Sequence, residues 1–102
     1  MGKQSQIPVA EEELLLKPLD TSAGFPVRPG FYDRNGATAL NGAVNFTVHS
    51  HGATSCELLL YHREEQEPYA RIPFPEKYRI GHVFSMIVFG LDIGDFEYAS
   101  CL

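Results

Sequence analysis

Residues Gly42 to His62 read GAVNFTVHSHGATSCELLLYH, and the periodicities inside this stretch decide the fold class. Val44, Phe46 and Val48 alternate with Asn45, Thr47 and His49, the period-two pattern of a strand with one face in a core and the other in water. After a short polar turn, Cys56, Leu58 and Leu60 share one parity while Glu57, Leu59 and Tyr61 share the other. Two antiparallel strands of a sandwich are predicted. None of these residues does chemistry by itself, so function has to be argued from the module they belong to.

Upstream, Arg28-Pro29-Gly30, Asp33-Arg34-Asn35-Gly36 and Leu40-Asn41-Gly42 are turn formers. Asn-Gly is a strong hairpin signal because both residues tolerate positive φ. Pro29 cannot donate to a ladder, so a strand there is expected at an edge. Residues 1–24 read as a leader, extended or partly disordered, before a domain spanning 25–102. Within that leader Glu11 to Lys17 has the charge order of a turn or two of helix, acids first and Lys17 last, with Pro18 ending it. The consecutive leucines Leu14 to Leu16 do not recur at helical spacing, so they fit a docked or disordered patch better than a partner-binding helix face.

Downstream, Arg63-Glu64-Glu65-Gln66-Glu67-Pro68 reads as a solvated loop. Paired carboxylates do acid-base work only when burial or close approach shifts one of them, and an exposed run offers neither. Ala70 to Phe74, with Pro73 inside it, is a predicted edge strand, and Pro75 to Tyr78 another turn region. His82 to Phe89 is apolar on both parities, as expected of a strand covered on both faces or lying near another domain. Phe96, Tyr98 and Leu102 alternate along a last strand. Short strands with Gly and Pro turns and no long helical period predict an all-β protein, an immunoglobulin-like β-sandwich of the early set lacking its last strand. Phe46, Val48, Leu58, Leu60 and Tyr98 form its expected core.

Composition narrows the function classes. The chain has 102 residues, 44% of them apolar, enough for one small domain with one core. A formal charge of -5 argues against nucleic acid, whose binding draws on clustered Lys and Arg. No apolar run approaches the roughly 20 residues of a membrane span, and the first residues lack the apolar segment of a signal peptide. A cytoplasmic protein without membrane contact is expected. Cys56 lies in register with buried leucines and Cys101 on the more solvated parity, so two free thiols are predicted. His49 and His51 have strand spacing suited to a metal, but no third ligand is near, and His62 and His82 have no partner in sequence. Neither Cys has a His at catalytic spacing. No metal or cofactor is expected.

The ordered series Gly36-Ala37-Thr38, Gly42-Ala43-Val44-Asn45-Phe46, Ser50, Ala53, Glu57-Leu58, Leu60-Tyr61, Ile72-Pro73, His82, Gly90-Leu91, Gly94, Phe96 and Tyr98 carries a further reading. It resembles the N-terminal domain of glycogen-debranching enzymes, isoamylases and pullulanases, classed with carbohydrate-binding module family 48. The likeness covers about the last three quarters of the chain. It departs from the family pattern at Gly81, where a Trp is usual before the His, and at Ser100 and Cys101, where a Tyr and an Arg are usual.

The resemblance implies an accessory domain of a debranching glycoside hydrolase, its partner being the catalytic barrel of the parent enzyme, with α-glucan as a second candidate partner. The chain itself would then be no enzyme, because the carboxylate pair of such hydrolases sits on a (β/α)8 barrel of about 250 residues. The alternative is a stand-alone glycogen-binding or protein-interaction module. Sugar rings stack on exposed aromatic planes, and without Trp the available candidates are Tyr32, Tyr69 and Tyr78 in the turn regions. The scarcity of stacking residues and the doubly apolar 82–89 segment favour the accessory-domain reading.

Overall fold

The computed structural model describes residues 16–52 and 55–100. The chain is an all-β sandwich of two antiparallel sheets. In chain order the strands are β1 (Asp20–Ser22), β2 (Phe25–Pro29), β3 (Gly36–Leu40), β4 (Ala43–His49), β5 (Glu57–Tyr61), β6 (Ala70–Pro73), β7 (Arg79–Ile80), β8 (Val83–Phe89) and β9 (Glu97–Ser100). The larger sheet runs β1-β2-β8-β4-β3, with β7 also paired to β8, and the smaller runs β6-β5-β9. Single 3-10 turns at Glu76–Tyr78 and Ile93–Asp95 are the helical elements among the described residues.

The alternation in the opening stretch works across the sandwich. β4 and β5 lie in different sheets, and their apolar parities meet in one core of Val44 and Phe46 against Leu58 and Leu60, joined by Val27, Ile72, Phe84, Met86 and Val88. Phe46 packs its ring against Phe96 and edge-on against Tyr98, at centroid distances of 5.9 and 5.3 Å. Val48 packs on this core only partly buried. Tyr98 remains 38% exposed, because β9 is the edge of the smaller sheet.

Several expectations need correction. Asp20 to Ser22, read with the leader, forms β1 and pairs with Phe25 to Val27. Leu16 to Leu19 is not helical, and the rest of the predicted Glu11 to Lys17 turn up to residue 15 lies outside the described residues, as do Cys101 and Leu102. β2 is not an edge strand, since β8 flanks it on one side and β1 on the other. The three-residue β1 ends opposite Val27, so its side of the ladder is already open at Pro29 and the missing donor costs nothing there. β6, with Pro73 at its end, does occupy an edge. The two-free-thiol expectation fails: Cys56, 5% exposed in the core cluster, is disulfide-bonded.

Candidate functional site

The three candidate tyrosines fall into two separate environments. Tyr78 ends the first 3-10 turn and is 1% exposed, so it has no ring face to offer a sugar. Its hydroxyl donates to Asp20 Oδ2 at 2.6 Å, and its carbonyl accepts from the half-buried Tyr32 hydroxyl at 2.6 Å. Lys77 Nζ bonds the other Asp20 oxygen at 3.0 Å. The Tyr78 hydroxyl bond and then the Lys77 ammonium hold the Asp20 carboxyl below the usual carboxylate range, while burial and the Asp20 charge push the Tyr78 phenol well up. Burial also raises Tyr32. These groups are a clasp that ties the edge strand β1 to the first 3-10 turn; they are not an open site.

Tyr69 stands apart on the β5–β6 connection. Its ring lies on His62 at 4.1 Å between centroids and 11° between planes, and the residue is 42% exposed. Partial burial and the Asp95 carboxylate raise its phenol. The same connection carries Arg63, whose guanidinium donates twice to the Gly94 carbonyl, at 3.2 and 2.6 Å. The acidic stretch behind it, Glu64 to Glu67, is solvent-exposed as expected. Of the three candidates, Tyr69 is the exposed one, Tyr32 is half-buried and Tyr78 is buried.

The middle of the outward face of the larger sheet is dry. Asn45, Thr47 and Ser85, whose parity points away from the core, are 0%, 2% and 0% exposed. The chain between β2 and β3 folds over them. Phe31 N–H donates to Asn45 Oδ1 at 2.7 Å, Thr47 Oγ1 donates to the Phe31 carbonyl at 2.9 Å, and Thr47 and Ser85 share a 2.7 Å hydroxyl bond. Arg34 stacks on the Phe31 ring from 4.2 Å. β8 is buried on both parities within the chain itself, Phe84, Met86 and Val88 on one and Ser85 and Ile87 on the other. Sequence reasoning missed this cover because Asn and Thr at alternate positions carry the signature of a wet face, and only tertiary folding of residues 30–34 makes that face dry.

A cleft of about 390 Å³ opens at one end of the sandwich, between the β3–β4 turn and residues 90–95. Leu40, Ala43, Leu91 and Ile93 line it with Asp92 and Asp95. Asp92 Oδ1 is already engaged, accepting from Gly94 N–H at 3.0 Å. His49 and His51 are both exposed, and no group of three His, Cys, Asp or Glu side chains suited to a metal ion occurs among the described residues. No helix among them is long and apolar enough to cross a membrane. Compared with family models and with curated proteins, the chain has no match in either.

Proposed function

We propose that this chain is the N-terminal accessory domain of a glycogen or starch debranching glycoside hydrolase, packing on the barrel that hydrolyses α-1,6-glucosidic bonds. The observation that carries the reading is the ordered residue series from Gly36 to Tyr98, which runs through β3, β4, β5, β6 and β9 of an antiparallel sandwich. The double apolarity of β8 lends the reading no support, because both parities of that strand are buried within the chain itself. On this reading the chain alone lacks glycosidase activity, needs no cofactor and binds neither nucleic acid nor membrane. A cytoplasmic location goes with it, and the disulfide at Cys56 weighs against that location, since disulfides persist mainly in oxidising compartments.

The test has two parts. The purified chain should release no reducing ends from pullulan or branched glycogen above a buffer control. The coding sequence past Leu102 should continue into a (β/α)8 barrel bearing two catalytic carboxylates roughly 5 Å apart; a stop codon there sinks the proposal. A stand-alone glycan-binding module is the second reading, and the exposed Tyr69–His62 stack beside Asp95 favours it. A dissociation constant for maltoheptaose tighter than about 100 micromolar, lost in Tyr69→Ala, would select that reading.

A further inference from the structure

Two Asn-Gly steps flank β3, and the fold treats them differently. Asn35-Gly36 enters the strand and Asn41-Gly42 leaves it, and both asparagines are exposed. Leu40 pairs with Ala43, so Asn41 and Gly42 are the two-residue loop of the β3–β4 hairpin. Such a hairpin closes on a hydrogen-bonded pair, and alternation along the ladder then makes Gly36–Thr47 a hydrogen-bonded pair as well. The Gly36 amide is thereby tied to β4. The Gly42 amide has no acceptor among the described residues, while the Gly42 carbonyl accepts from Gly90 N–H at 2.9 Å. Gly42, at φ 77°, meets open space where a Cβ would stand, and both loop residues are exposed.

We propose that Asn41 is a spontaneous modification site of this protein, converting to isoaspartate or aspartate, and that Asn35 is protected. The Gly42 backbone nitrogen, giving its proton to water, bonds to Asn41 Cγ. The bond from Cγ to the side-chain nitrogen breaks, ammonia leaves, and a succinimide ring remains. Water then opens the ring at either carbonyl, with no change of oxidation state. The product adds a carboxylate between Leu40 and Gly42, two residues that line the cleft with Asp92 and Asp95. In the isoaspartate form it also inserts a methylene into the main chain, next to the Gly42–Gly90 bond that joins the hairpin to the end of β8.

The whole chain, incubated in mildly alkaline buffer and mapped by mass spectrometry with isoaspartate detection, provides the test. In the folded protein Asn41 should react roughly tenfold or more faster than Asn35, because Asn35 must wait for local opening of the β3–β4 ladder. In denaturant the two rates should converge, since both are Asn-Gly. Amide exchange at Gly90 should quicken in the modified protein. Equal native rates, no reaction at either site, or a rate ratio that persists in denaturant would each overturn the proposal.

Discussion

Ala23 and Glu64 adopt the left-handed backbone region without being glycine, at φ 52° and 67°. Ala23 precedes Gly24 in the β1–β2 hairpin, where both loop residues have positive φ, the arrangement Asn-Gly suits best. Ala23→Asn is therefore expected to stabilise the protein by about 0.5 kcal/mol, read as a higher urea midpoint at unchanged slope; an unchanged or lower midpoint counts against the strain. Asp20 sets a pH dependence at the same scale. Its folded pKa lies below its ordinary value of 3.8, so the folded state holds the proton less tightly than the unfolded chain. Its contribution is fully present well above pH 3.8 and fades as pH falls through the lower folded value. Unfolding midpoints of wild type and Asp20→Asn should differ at neutral pH and converge below pH 3.8; parallel curves down to the acid limit would show that the clasp is not ionic. None of the Asp20, Lys77 and Tyr78 contacts is legible in sequence, because they join positions 57 and 58 residues apart.

At the scale of elements, alternation located β4 and β5 well, and Phe46, Leu58 and Leu60 are fully buried as read from their parity. Alternation alone did not tell which sheet each strand joins, since a strand facing its partner across a core has the same pattern as one beside it. Nor could it tell that the far face of β4 is dry. Gly30 holds the key to that cover: a Cβ there would run into Ser85 Oγ and Asn45 Oδ1 and come within 2.9 Å of Met86 N. Gly30 is needed for close approach, not for a turn. Gly30→Ala should cost on the order of 2 kcal/mol by pushing the 30–34 segment off its hydrogen bonds, with faster amide exchange at Phe31; a loss below about 0.5 kcal/mol would mean that the segment tolerates displacement. Truncation on the other face, Phe46→Ala, should cost on the order of 3 kcal/mol through the cavity left between the sheets, measured by the same urea unfolding. The candidate sugar contacts were poorly legible because Tyr32, Tyr69 and Tyr78 all sit in turn-rich sequence, where burial depends on what packs over the turn.

For the whole molecule, the disulfide at Cys56 adds a covalent restraint to the packing and the ladders. Parity placed Cys56 in the core correctly, but parity says nothing of redox state, which depends on what the fold brings within bonding reach. The chain has two cysteines, so within one molecule Cys56 has only Cys101 to bond. A loop of that order closed by a disulfide removes enough unfolded-state entropy to stabilise by about 4 kcal/mol in the chain-entropy account, a large share of the stability of so small a domain. Unreduced protein unfolded in denaturant should titrate no free thiol and should run as a monomer on a non-reducing gel. Reduction, or Cys56→Ala, should lower the urea midpoint substantially without altering the sheet content at zero denaturant. Two titratable thiols in unreduced protein would remove the disulfide and restore the cytoplasmic location to good standing. A disulfide-linked dimer on that gel would instead make Cys56 a bridge between two molecules, and the loop-closure stabilisation within one chain would then be absent.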